Sequence, residues 1–143
     1  ILAKLPHTFV TLHVGPGTFL PVRGDNLEAH RMHGENYVVS PEGAEEINRA
    51  GRVIAVGTTS LRVLESLPPG PVHPGKGRTE IFIKPGFTFV RTDALLTNFH
   101  LPKSTLFVLV CALAGQGLMS GAYAEAIDQK YRFFSYGDCM LIL

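Results

Sequence analysis

Residues 52–57, RVIAVG, carry an unbroken apolar run of strand length that leads through GTTS into a helical pattern, TTSLRVLESL. Continuous apolar runs of this length are typical of strands covered on both faces, and such strands belong to sheets flanked by helices. The run is therefore expected to be a central strand. A second strand-to-helix passage follows at 94–99, ALLTNF, which leads into PKSTLFVLVCALAG. Two such passages restrict the chain to the α/β class.

The other segments agree with that class. Residues 8–14, TFVTLHV, alternate and end at the turn signature GPGT; NYVVS at 36–40 is a second short strand. SPEGAEEINRAG has a helix's punctuation: Ser40 as N-cap, Pro41 in the first turn, acids after it and Gly51 as the stop. Residues 68–79, PPGPVHPGKGRT, are rich in Pro and Gly and are expected to form an exposed loop, with EIFIK at 80–84 as a strand. SGAYAEAIDQKY reads as a last helix and CMLIL as a closing strand. The expected order is β-β-α-β-α-β-β-α-α-β, a mixed β-sheet flanked by helices, with residues 1–143 as a single domain.

Composition narrows the classes. Of 143 residues, 45% are hydrophobic and 17% charged, which is globular rather than disordered. The formal charge of +1 gives no overall basic character, so any nucleic-acid surface must be local. Cys111 and Cys139 each sit in an apolar run and are expected to be buried, reduced thiols. The run TLFVLVCALAG is shorter than the ~20 residues a membrane span needs, so no membrane partner is expected. The opening ILAKLPHTFV has neither an initiator Met nor a signal-peptide pattern, and its abrupt start reads as the edge of a longer chain.

Four groups of residues could carry chemistry. In VGTTSLR, Gly57 permits close approach to the backbone, and helix-start amides beside Thr58, Thr59 and Ser60 suit an anion. The plainer reading is a helix capped by Thr58 or Thr59. His13, His30, His33 and Glu35 have a spacing that permits a metal, or else substrate contacts and proton transfer by the imidazoles. Around the end of the 94–99 strand, Thr97, Asn98, His100, Ser104 and Thr105 exceed what one helix cap requires, which favours a site. Finally, YRFFSYGDC groups aromatics with Arg132 and Asp138. It suits base stacking or phosphate binding, or equally a packed corner with an Arg132–Asp138 pair.

The strings TLHVGPGTFLPVR, HRMHGENYVVS, RVIAVGTTSLRVLES, TNFHLPKSTL and YRFFSYGDCM, in this order, resemble the S-adenosylmethionine:tRNA ribosyltransferase-isomerases of queuosine biosynthesis. The resemblance covers essentially all 143 residues. It implies the C-terminal portion of an enzyme more than twice as long, without that family's inserted β-barrel subdomain and upstream active-site motif, so that activity of these residues alone is not expected. It implies a cytoplasmic, tRNA-modifying transferase and isomerase. The ribosyl moiety of S-adenosylmethionine moves onto the 7-aminomethyl-7-deazaguanine base of a tRNA anticodon, giving epoxyqueuosine, adenine and methionine. S-adenosylmethionine is a co-substrate; no other cofactor and no metal is implied.

That chemistry requires a base for the C–H beside the sulfonium, a proton donor for departing adenine and a holder for the developing alkoxide. His100 is the first candidate for acid–base work, followed by His13 and His33. Thr97 and Asn98 are candidates for a ribose or base edge, and Glu35 for the sulfonium or amine. Gly57, Thr58, Thr59 and Ser60 suit a carboxylate or phosphate. Phe133 and Tyr136 are candidates for flanking a base, and Arg62, Lys103 and Arg132 for tRNA phosphates. A homo-oligomer is compatible with the sequence. Two other classes remain open: a metal-dependent hydrolase built on His13, His30, His33 and Glu35, and a non-catalytic RNA-binding module.

Overall fold

The computed structural model describes residues 4–15, 27, 30 and 32–143. The expected GPGT turn beyond Gly15, and Arg31 within HRMHGE, lie outside the described residues. The elements are β1 (Val10–His13), β2 (Glu35–Val39), α1 (Pro41–Arg49), β3 (Ile54–Val56), α2 (Thr58–Ser66), β4 (Gly75–Thr79), β5 (Ala94–Asn98), α3 (Thr105–Ala114), α4 (Gln116–Asp128) and β6 (Cys139–Ile142). This is the expected α/β order.

The strands form two three-stranded sheets rather than one. The first, ordered β1-β2-β4, is antiparallel; the second, ordered β3-β5-β6, is mixed, with β3 parallel and β6 antiparallel to β5. The central strand of the second sheet is β5. β3 is its edge, and Ile54 and Val56 are 49% and 59% exposed while Ala55 is buried. The expectation of a two-sided central strand at 52–57 is thus corrected: the apolar run covers the core with one side only.

Helix α2 lies between the sheets. Leu61 and Leu64 enter a core with Ala55, Ile83, Leu95, Leu109, Val110 and Ile142. Val63 faces a second core with Val39, Ala44 and Val72. A helix buried on most of its circumference has few positions for polar side chains. Its carboxyl half holds the chain that returns to β5: the Glu65 carboxylate accepts the backbone N–H groups of Val90, Arg91 and Thr92 at 2.9, 3.1 and 2.8 Å.

α1 follows its sequence signals. Ser40 Oγ accepts the Gly43 N–H at 3.0 Å, and Pro41 opens the first turn. Asn48 then exchanges two hydrogen bonds with the Val72 backbone, pinning the Pro-rich segment to the helix.

Two further readings are corrected between 68 and 84. Residues 75–79 are strand rather than loop, because GKGRT pairs through its backbone along all of β2. Residues 80–84 are not strand. β2 begins at Glu35, opposite Thr79, so no partner continues, and the Thr79 hydroxyl accepts the Ile81 N–H at 3.1 Å. The alternation in EIFIK instead sends Ile83 into the core.

Both cysteines are free thiols; Cys111 is buried as expected, whereas Cys139, at the start of β6, is exposed. Among the described residues no single helix is long and apolar enough to cross a membrane. α3 and α4 together have the length and composition, but they bend by 117°.

Candidate active site

Because β3 and β5 are parallel, their carboxyl ends lie side by side, and the Gly57 N–H donates to Leu96 O at 2.8 Å. β6 runs the other way, so its start meets the same end, with Cys139 opposite Asn98. Three of the four groups picked out in the sequence therefore converge: Gly57–Ser60, Thr97–His100 and residues 132–138. Carboxyl ends of strands are where α/β sheets gather ligands.

His100 is held from two directions. Its Nε2 lies 2.9 Å from Thr97 Oγ1, and its backbone N–H donates to the Tyr123 hydroxyl at 2.8 Å. Thr97 is itself buried, so the pair is fixed in place. Burial pushes the imidazole down from 6.5 to about 4, and His100 is neutral near pH 7. Burial likewise pushes the Tyr123 phenol up. Tyr123 escaped sequence reasoning: in SGAYAEAID it is one apolar position of a helix, and only packing against Phe99 and Phe107 aims its hydroxyl.

Asn98 is used structurally. Its Nδ2 donates to Gly137 O at 3.4 Å and to Asp138 O at 3.2 Å, tying β5 to the loop ahead of β6. Within that loop Arg132 pairs with Asp138, Nη2 to Oδ1 at 3.0 Å, while the Arg132 N–H donates to Oδ2 at 2.8 Å. The pair holds the Asp138 carboxyl below its usual range. Phe133 packs against Phe99 and Tyr123, whereas Tyr136 is 98% exposed. Phe133 thus belongs to the packed corner, and Tyr136 extends into solvent.

The turn at Gly57 has no side-chain cap, so the plainer reading with Thr58 or Thr59 as cap does not hold. Gly57 adopts φ +86°, the left-handed region where a side chain is strained. Thr58 is buried, Thr59 is exposed, and Ser60 Oγ donates to Val56 O at 2.9 Å. At the next helix, Ser104 is the cap: Oγ accepts the Phe107 N–H at 3.1 Å and donates to Leu101 O at 2.6 Å. Thr105 is buried beneath it. Lys103, at φ +61°, is exposed beside it.

Other expected members lie elsewhere. His13 sits on β1 opposite Asn36 in the first sheet, and His33 is exposed just before β2. Among the described residues, no hydrogen bond or ring contact joins either to His100. Glu35 and Arg62 are corrected most. Arg62 Nη1 lies 2.5 Å from Glu35 Oε2, with side chains 3% and 1% exposed, and Glu35 Oε1 accepts the Gly15 N–H at 2.8 Å. Arg62 is on a helix enclosed by both sheets, and its charge is matched internally rather than offered to a phosphate. Glu35 is equally enclosed by that pairing. His30 packs on Phe82, and among the described residues no three His, Cys, Asp or Glu side chains gather as a metal site. His13, His30, His33 and Glu35 therefore do not form the cluster that the hydrolase reading requires.

Comparison with known proteins identifies the family. A protein from Anaeromyxobacter dehalogenans (strain 2CP-C), named S-adenosylmethionine:tRNA ribosyltransferase-isomerase, is 64% identical over 141 residues, covering 95% of this chain and 41% of the relative. A protein of the same name from Syntrophus aciditrophicus (strain SB) is 58% identical, covering 94% of this chain and 38% of the relative. The chain thus spans about two-fifths of the length of the curated relatives it matches. The crystal structure of S-adenosylmethionine tRNA ribosyltransferase from Thermotoga maritima superposes with a TM-score of 0.69 at 47% identity, covering 76% of this chain and 40% of that one. The family described as queuosine biosynthesis protein matches residues 3–142, and this chain belongs to it.

Proposed function

We propose that these residues form the C-terminal portion of a cytoplasmic enzyme that transfers and isomerises the ribosyl moiety of S-adenosylmethionine. The acceptor is 7-aminomethyl-7-deazaguanine in the tRNA anticodon, and the products are epoxyqueuosine-tRNA, adenine and methionine. Family membership and the relatives' names support the reaction. The observation that carries it to particular residues is His100, a neutral imidazole fixed at a strand end beside the uncapped Gly57 turn.

A sulfonium co-substrate repels a cationic neighbour. A neutral imidazole avoids that repulsion and still offers a lone pair. If Nε2–H donates to the Thr97 hydroxyl, Nδ1 presents that lone pair to the C–H beside the sulfonium. The free amides at the start of α2 suit the methionine carboxylate. Tyr136 offers an open aromatic face for a base drawn from its stack. Lys103 and Arg132 remain candidates for tRNA phosphates; Arg132 does so while paired with Asp138.

The full-length enzyme that contains these residues, incubated with S-adenosylmethionine and tRNA bearing the precursor base, is expected to release adenine. His100→Ala should lower that release about 100-fold or more, with little change in the KM for S-adenosylmethionine. Release at the unsubstituted rate removes His100 from the mechanism. tRNA binding by the unsubstituted enzyme without adenine release would favour the RNA-binding module instead.

A further inference from the structure

In the first sheet, register decides which side chains face away from α2. Glu35, Tyr37 and Val39 alternate inward, with Glu35 and Val39 buried, so Asn36 and Val38 point outward. Pairing then sets two outward rows, His13–Asn36–Arg78 and Thr11–Val38–Lys76. His13, Asn36, Lys76 and Arg78 are exposed, and His13, Asn36, Tyr37, Val38, Lys76 and Gly77 line one shallow depression. The face is not an accident of loose loops. Gly77 lies under the Tyr37 ring, where an added Cβ would meet Tyr37 Cζ at 2.3 Å. Glycine at this inward position lets β4 seat flat on β2 and commits Lys76 and Arg78 to the outer side.

Neither row contains a carboxylate. Glu80, just past β4, approaches Arg78 at 3.5 Å with both side chains about two-thirds exposed, a contact too open to neutralise it strongly. Of the three cations named for phosphates, two already have carboxylate partners, Arg62 with Glu35 and Arg132 with Asp138, and Lys103 stands exposed at the strand-end site. Lys76 and Arg78 sit two residues apart on one strand, about 7 Å, a spacing that lets two long side chains meet successive phosphates.

We propose that the outward face of β1-β2-β4 is a contact surface for the tRNA phosphate backbone, with Lys76 and Arg78 as its principal charges and His13 and Asn36 as hydrogen-bonding neighbours. The surface positions the RNA and carries no base specificity. It rests on the tRNA-modifying function proposed above and adds the residues that hold the acceptor.

The test is tRNA binding by the full-length enzyme that contains these residues across a salt series, alongside adenine release. The double variant Lys76→Gln/Arg78→Gln should bind tRNA about tenfold more weakly and lower the log–log salt slope by about 1.5 to 2, the value for two phosphate contacts. Its KM for tRNA should rise while the KM for S-adenosylmethionine stays unchanged. Lys76→Arg should bind as the unsubstituted enzyme does, and Glu80→Gln should bind more tightly. An unchanged affinity and slope in the double variant overturns this surface while leaving the enzymatic reading intact. No tRNA binding and no adenine release by the unsubstituted enzyme overturns both.

Discussion

His100 shows how a residue acquires its chemistry from its surroundings. In the sequence it is one of six histidines, singled out by the polar crowd around it. Its depressed pKa comes from burial alone, and its orientation from Thr97 and Tyr123. Thr97 is three residues away and legible as a neighbour; Tyr123 is on another helix and was not. The unfolded imidazole titrates near 6.5 and the folded one near 4, so between those values the unfolded chain binds more protons. This contribution to stability is complete above pH about 6.5 and declines as pH falls towards 4. Urea titrations from pH about 7 to about 4.5 should therefore show the stability gap between the unsubstituted chain and His100→Gln narrowing as pH drops. A gap that widens on acidification would refute the assignment.

At the scale of elements, helices announce themselves more clearly than strands. The Ser40 cap was readable, because a hydroxyl before a helix satisfies amides the helix itself leaves bare, whereas Ser104, read as part of a polar surplus, turns out to be the cap of α3. Ser104 also grips Leu101 O, so it serves the junction rather than the reaction. Ser104→Ala should cost about 1 to 2 kcal/mol in chemical denaturation, and Ser104→Asp should retain most of the stability. Strand boundaries between 75 and 84 were misread for a physical reason. GKGRT has little strand propensity of its own and is recruited by β2, while EIFIK has the pattern but no partner. Likewise, an apolar run such as IAV records its composition, whereas its place at the edge of a sheet depends on which strands arrive later.

At the scale of the molecule, the buried Glu35–Arg62 pair joins the first sheet to the helix that separates it from the second. Neither residue could be recognised as structural beforehand, since each sits in a motif that also suits catalysis or RNA. Removing one partner leaves a charge without its match away from water. Arg62→Met should destabilise the chain by about 3 to 5 kcal/mol, and Glu35→Gln/Arg62→Met by clearly less, measured by urea unfolding. Equal losses in both would mean that the pair does not act as a unit. The α/β class and the gathering of strand ends were legible because they follow from local pattern and the parallel strand rule. The division into two sheets was not, because it depends on which non-local pairs form.

The same non-local pairing bears on how quickly the chain reaches this form. Asp93 accepts the Val53 N–H, and Asn98 donates to Asp138 O, each across forty residues. α3 and α4, by contrast, follow each other directly at Gly115. Helical turns close in about a microsecond, whereas contacts at long sequence separation must first meet the entropy of closing the chain between them. Refolding is accordingly paced by the search that seats β5 between β3 and β6, and the strand-end site is assembled only when that search is complete.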